Sequence, residues 1–342
     1  MKILITGAYG FVGTNLCRYL VERGHVCDAL DIPGAKRSDV PYRAFYTWDD
    51  LSPSPSPSPL SFTFPFTSYD AVVHLAGKAH DLKKVASEQS YFDVNVGLTQ
   101  RIFEALSQQV KSEGEKVKVR GEGERRNITF IYFSSSKASA TGNAYGRSKL
   151  AAEEYLTSAV HLHLSPSPLP SPSPLRVVIL RPAMIHGPGN KGNLNLLWGV
   201  ARRGLPWPLA AFENRRSFTS IGNVCAAVEA LCGGEVKGGG EQRNVETFFV
   251  ADDEMLSTNR LIELMAEACG KKAKLWRLPK GLMRFAAKVG DVLHLPLNTE
   301  RIEKLTEDSF VDNAALRRTL GWDRMPVRAE DGMRTTLRAF RS

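Results

Sequence analysis

Short runs of β-branched and aromatic residues alternate, through the first half of the chain, with stretches whose apolar positions recur every three or four residues. The runs predict strands at residues 2–6, 26–30, 43–46, 71–75, 128–133 and 177–180. Between them the spacing predicts amphipathic helices, among them residues 11–23, closed by Gly24 just past the helix end, and 91–107. Strand, helix and strand in this order make βαβ units. The expected fold class is α/β: a Rossmann-type doubly wound parallel sheet with a smaller C-terminal α/β substrate-binding part. The expected division is a dinucleotide-binding domain over residues 1–182, which a late strand at 245–250 rejoins, and a mainly substrate-binding domain over 183–342.

Three segments break the rhythm. Residues 52–59 are a Ser-Pro repeat, 111–126 carry ten charges and three glycines with no apolar period, and 165–174 are again rich in Ser and Pro. Proline removes amide donors, and a charged run lacks the apolar surface to pack, so the segments read as inserted loops near 52–68, 108–127 and 160–175. After Pro182 a turn at Gly187-Pro188-Gly189 leads to a predicted helix at 194–203, a second capped by Asn223, and a third that Ser257 caps and Gly270 ends.

The chain's 342 residues are ample to bury a core, and no apolar run approaches the length of about 18 residues that a membrane span requires. The N-terminus meets Gly7 too early for a signal peptide, so the expected location is the cytoplasm. Five scattered cysteines show no C-x-x-C spacing, and no metal is expected. The net charge of +9 is concentrated at the C-terminal end, where residues 271–342 carry 16 basic against 9 acidic side chains. A basic region suits nucleic acid or a small anion; no nucleic-acid-binding motif accompanies it, which leaves the anion.

The candidate chemistry begins with Gly7-Ala8-Tyr9-Gly10-Phe11-Val12-Gly13, directly after the first strand and opening the first helix. Glycines there permit a tight turn and the close approach of a pyrophosphate, whose charge the helix N-terminus stabilises. Asp31 ends the second strand 18 residues beyond Gly13, where a carboxylate accepts both adenosine ribose hydroxyls and favours NAD over NADP, although Lys36 and Arg37 stand near enough to meet a 2′-phosphate. Tyr145 and Lys149 are four residues apart and share a helix face, and an ammonium beside a phenol favours the phenolate, a base near neutral pH. Ser134-Ser135-Ser136 end the fifth strand, so these groups meet at the carboxyl edge of the sheet.

With these motifs in this order, together with Asp50-Leu51, His74-Leu75-Ala76-Gly77, Asn95, Tyr145-Gly146-Arg147-Ser148-Lys149 and Arg181-Pro182, the chain resembles the extended short-chain dehydrogenase/reductase family. Within it, the similarity is to nucleotide-sugar epimerases such as UDP-galactose/UDP-glucose 4-epimerase. The resemblance implies a catalytic set of Ser136, Tyr145 and Lys149. It implies a cofactor site of the glycine loop, Asp31, Asp50 and Leu51 beside adenine, Leu75, Ala76 and Gly77 along the dinucleotide, Asn95, Ser134 and Arg181. It implies substrate contacts from Ser136, Asn193, Leu194 and Arg216, the last on a diphosphate. The stretch 212–218 is most similar to the branch serving surface-polysaccharide synthesis. Only eight residues separate Ser136 from Tyr145, fewer than in related epimerases, and Lys137 stands where 4,6-dehydratases carry acidic residues, which disfavours dehydration. Met184 replaces an asparagine of some epimerases, and His186 reads as a packing residue beside the Gly-Pro turn.

The resulting expectation is an NAD-dependent 4-epimerase acting on a UDP-hexose or related NDP-sugar through a 4-keto intermediate, with a homodimer left open. An NDP-4-ketosugar reductase using the same residues is the alternative within the class. A catalytically inactive cofactor-binding protein is the alternative outside it.

Overall fold

The computed structural model describes residues 1–51, 64–79, 87–120, 127–163, 175–190, 194–234, 245–293 and 298–341. The chain divides into two compact units, the first comprising Met1–Pro182, Val224–Val250 and Ala314–Asp323, the second Ala183–Asn223, Ala251–Asn313 and Arg324–Ser342.

The first unit is built on a seven-stranded sheet in the order β3-β2-β1-β4-β5-β6-β9, every adjacent pair parallel. Its strands are β1 (Lys2–Thr6), β2 (Val26–Asp31), β3 (Ala44–Thr47), β4 (Ala71–His74), β5 (Ile128–Phe133), β6 (Leu175–Pro182) and β9 (Val245–Val250). The run at 245–250 therefore enters the sheet beside β6. Every residue of β4 and β5 is buried, as in a parallel sheet covered on both faces. Between the strands run α1 (Phe11–Val21), α2 (Glu88–Asn95), α3 (Gly97–Arg120) and α4 (Ala144–His163). From β1 the chain proceeds to β2 and β3 on one side, then returns to β4 on the other. The carboxyl ends of β1 and β4 thus flank the point where strand order reverses, which is where such sheets bind ligands.

All three expected loops differ from the structure at their edges: within the third, α4 runs on through His163 and β6 begins at Leu175. Helix α3 continues through Arg120, because the charged stretch after Lys111 is rich in good helix formers, Glu and Lys, even though it lacks an apolar period. At the end of the first insertion, Phe64 and Phe66 are core residues packed with Tyr69 and Phe103. The Ser-Pro repeats at 52–59 and 165–174 lie outside the described residues.

The second unit holds a short parallel pair, β7 (Met184–His186) with β8 (Phe218–Ser220), and helices α5 (Leu194–Arg203), α7 (Thr258–Ala268), α8 (Lys280–Val292), α9 (Thr299–Thr306) and α11 (Ala329–Arg341). Its core gathers Trp198, Trp207, Phe218, Leu261, Met265 and Met333. Helix α6 (Ile221–Cys232) follows β8 directly and α10 (Ala314–Leu320) follows α9. Asn223 is therefore not a cap but an interior residue of the first turn of α6; its side-chain amide donates to Asp252 Oδ1 (2.7 Å) and to the Val327 carbonyl (2.7 Å). Ser257 does cap α7, accepting from the Arg260 amide at 3.0 Å. Among the described residues no helix is long and apolar enough to cross a membrane.

Candidate active site

The glycine loop joins β1 to α1 and is shaped by contacts that leave no room for side chains. Gly7 sits at φ +61°, and a Cβ there would lie 2.7 Å from the Ala76 amide nitrogen of the neighbouring strand end. Gly10 begins α1 with no side-chain cap and no acidic residue in the first turn, so the positive helix end is left uncompensated for an anion. Asp31, at the end of β2, faces this loop: its Oδ2 accepts from the Tyr9 amide at 2.9 Å and its Oδ1 from the Ile32 amide at 2.8 Å. The Tyr42 hydroxyl lies within 2.9 and 3.0 Å of the Ala8 and Gly13 carbonyls and fixes the loop from below. Arg37 binds Asp39 through two hydrogen bonds and is thereby neutralised. Asp50 is exposed and accepts from the Thr47 amide, whereas Leu51 is buried in the core.

At the end of β4 a buried relay runs inward. Thr6 Oγ1 accepts from the Ala76 amide and lies 2.7 Å from His74 Nδ1; His74 Nε2 lies 3.1 Å from Thr99 Oγ1, which donates to the Asn95 carbonyl. Because the single proton of Thr99 is used on that carbonyl, His74 Nε2 must be the donor toward it and Nδ1 the acceptor from Thr6. Full burial, and secondarily the Lys149 charge, push His74 down to about 3, consistent with this neutral tautomer. Asn95 in turn accepts from the Lys78 amide (2.7 Å) and donates to Ser148 Oγ (2.9 Å), tying the segment after β4 to α4. Gly77 lies against both: a Cβ on it would stand 2.8 Å from Asn95 Oδ1 and 3.2 Å from Lys149 Nζ.

The serines after β5 diverge. Ser134 donates to Glu153, which also holds Arg181 in an ion pair, so these two expected cofactor residues share a buried carboxylate. Ser136 donates its backbone amide to the Pro182 carbonyl (3.0 Å). Of the three serines, Ser135 stands near enough to Tyr145 for its hydroxyl to lower the phenol, and Ser136 is half-buried. The eight residues between Ser136 and Tyr145 form a short return in which Gly142 N donates to Ser139 O and Ser139 N to Gly146 O. Burial raises Tyr145 above the ordinary phenol range, against a lowering by Ser135. Lys149 lies one turn along α4, buried, its Nζ donating to the Phe133 carbonyl at 2.7 Å and standing over the Tyr132 ring. Desolvation pushes it down to about 8. The half-buried phenol and the buried lysine thus share one edge of the sheet. Thr6, Thr99 and Glu153 escaped sequence reasoning, since no motif or spacing singles them out.

In the second unit, Leu194 is a core residue of α5, and Asn193 lies outside the described residues. Arg216 bonds the Lys304 carbonyl at 2.9 Å, and burial lowers its guanidinium from the usual arginine range. His186 is completely buried, its Nδ1 2.8 Å from Thr336 Oγ1 and its Nε2 3.5 Å from Asp252 Oδ2, a packing position as expected.

Comparison with known proteins extends the picture. Residues 3–245 match the NAD dependent epimerase/dehydratase family. The chain is 28% identical to a UDP-glucose 4-epimerase of Vibrio cholerae over 99% of its own length and 95% of that protein's. It is 24% identical to an N-acetyl-alpha-D-glucosaminyl-diphospho-ditrans,octacis-undecaprenol 4-epimerase of Escherichia coli O157:H7, over 85% of this chain and 80% of the other. In fold it is similar to a UDP-N-acetylglucosamine 4-epimerase of Bacillus cereus, with a TM-score of 0.66, 18% identity and full coverage of both chains.

Proposed function

The chain belongs to the NAD dependent epimerase/dehydratase family, and from that premise we propose that it is an NAD-dependent nucleotide-sugar 4-epimerase. Its substrate is a UDP-hexose or related NDP-sugar, turned over through a 4-keto sugar in the making of surface-polysaccharide precursors in the cytoplasm, with a homodimer left open. The observation that carries this reading is the placement of Tyr145 and, one turn along α4, the Lys149 ammonium, held by the Phe133 carbonyl and not by a carboxylate, at the same sheet edge as the glycine loop.

The residues present fit NAD. The uncompensated start of α1 suits a pyrophosphate, Asp31 suits a ribose diol and repels a 2′-phosphate, and Arg37, spent on Asp39, does not counter that repulsion. Bound NAD supplies reversible two-electron exchange at the sugar's C4. The protein supplies the proton chemistry. Tyr145 Oη is the group to take the proton from the 4-hydroxyl and return it, and the Ser135 hydroxyl lowers the phenol. The neighbouring Ser136 is half-buried and remains the candidate for bonding the sugar oxygen. Lys149, held by a backbone carbonyl instead of a carboxylate, keeps its charge for a ribose and for the phenol. Arg216 is the proposed anchor for the substrate diphosphate; the anchored diphosphate leaves the hexose free to present its other face.

The test is to purify the protein without added cofactor, identify what it retains by mass spectrometry, and follow a panel of UDP-sugars by NMR. Interconversion of a C4-epimer pair without net cofactor consumption supports the reading. Stoichiometric oxidation of added reduced cofactor against a 4-keto sugar would assign a reductase instead, and inertness toward every sugar would point to a binding protein.

A further inference from the structure

Helix α8 packs against its unit through one face, where Met283, Ala287 and Gly290 are buried. The rest of its circumference has two sectors. Leu282, Phe285, Val289 and Leu293 recur at steps of three and four, so they share a stripe, and all four are exposed, Phe285 by 66% and Leu293 by 62%. Lys280, Arg284 and Lys288 recur every four residues and form a row between that stripe and the buried face. Trp276, just before the helix, is also exposed. A scattered exposed leucine is ordinary on a protein surface; a contiguous apolar stripe bordered by a row of one charge is not.

We propose that residues 271–293, built around α8, dock on the surface of an anionic lipid bilayer. The charge argument selects this occupant. The segment holds seven basic residues and a single acidic one, Asp291, whose carboxylate is already taken by the Thr299 amide (3.0 Å) and hydroxyl. Two carboxylates, Glu213 and Glu303, face the basic row across a groove of about 480 Å³ lined also by Phe212 and Thr306, and they leave the patch strongly positive. A helix with Phe and Leu on one sector and Lys and Arg on the next lies in the plane of the lipid headgroups, its apolar stripe entering the acyl boundary while the cations meet lipid phosphates. The aromatic ring of Trp276 suits the same interface. A second copy of the chain is the poorer occupant, because the cores of protein interfaces are depleted in lysine and a like-charged row would be pressed into it. The proposal concerns one face of the second unit and does not rest on the reading of the active site.

Flotation of the full-length protein with vesicles tests it. Vesicles mixing phosphatidylcholine with phosphatidylglycerol should carry the protein at low salt, vesicles of phosphatidylcholine alone should not, and added salt should release it. Phe285→Asp should weaken binding by about tenfold or more, and joint replacement of Lys280, Arg284 and Lys288 by Gln by about a hundredfold, with unchanged thermal melting and unchanged turnover of a soluble nucleotide sugar. No flotation with the anionic vesicles, or flotation indifferent to both variants, would overturn the proposal. So would a Phe285→Asp variant that turns a dimer into a monomer in light scattering while vesicle binding is unaltered, since the face would then belong to a second copy.

Discussion

Lys149 in the first unit and Arg260 in the second carry the same charge in opposite surroundings. Arg260 is partly exposed and met by three carboxylates, those of Glu330 at 2.8 Å, Glu263 at 3.0 Å and Glu267 at 3.2 Å, and these hold it above the usual arginine range. Lys149 is buried, bonds a peptide carbonyl, and is pushed down to about 8. Glu153, the carboxylate whose charge works against that shift, is occupied by Arg181 and Ser134. A cation surrounded by carboxylates has its charge cancelled within the fold and serves to fasten α7 to α11. A buried cation without one costs the fold stability, and its charge stays available to whatever binds beside it. The placement of a charge relative to its counter-charges thus separates scaffold from site in this molecule.

The largest expected effect falls on the group that Lys149 and Ser135 serve. Tyr145→Phe should lower turnover by about 100-fold or more, the low end for loss of a general base, with NAD affinity nearly unchanged by calorimetry. Substantial activity in this variant would move the proton chemistry to another residue.

Lys149→Met keeps the volume and removes the charge. Turnover should fall by about tenfold or more, while unfolding free energy at pH 7 stays within about 1 kcal/mol of the parent, because a disfavoured buried charge leaves along with one hydrogen bond. The pH dependence has a definite sign. The folded lysine releases its proton near 8 and the unfolded one near the ordinary value of about 10.4, so between these limits the unfolded parent binds more protons and the parent gains stability as pH rises. The variant lacks that gain. Denaturant melts across this range should therefore move in the parent's favour, and a difference independent of pH would break the contrast.

Asp31 extends the contrast to a negative charge facing the ligand. NAD should bind about tenfold or more tighter than NADP, a difference of about 1.4 kcal/mol, and Asp31→Asn should narrow it. Equal affinities in the parent would show that Arg37 leaves Asp39 for a 2′-phosphate.

The smallest effect belongs to the scaffold cation. Arg260→Gln should leave turnover within about twofold and lower unfolding free energy by about 1 kcal/mol, the scale of a partly exposed ionic network. A large loss of turnover would erase the distinction between the two cations.

The sheet was legible because buried parallel strands read as continuous apolar runs: residues 2–6 and 128–133 coincide with β1 and β5, and the half-exposed edge strand β9 coincides with the run at 245–250. Tyr145, Lys149, Gly7 and Asp31 were legible because they sit at fixed distances from strand ends, where few backbone paths exist. Which serine of 134–136 serves Tyr145 was not, since the direction of a side chain past the end of β5 depends on how the short return folds, which no periodicity encodes. The helical continuation of α3 was hidden for a related reason: an apolar period marks a face that packs, and a helix of Glu and Lys needs none. In the second unit, Leu194 matches the expected motif yet lies in the core. A motif there fixes the neighbourhood of a residue, and packing decides which way its side chain turns.

The contrast between the two cations rests on the state of Lys149, and an NMR titration of protein labelled with ¹³C at the lysine side chains reads it directly. In the cofactor-free protein one lysine signal, absent from Lys149→Met, should titrate near 8. If that signal titrates at about 10 or above, with the exposed lysines, the ammonium is not disfavoured by its burial and the account of the site is contradicted.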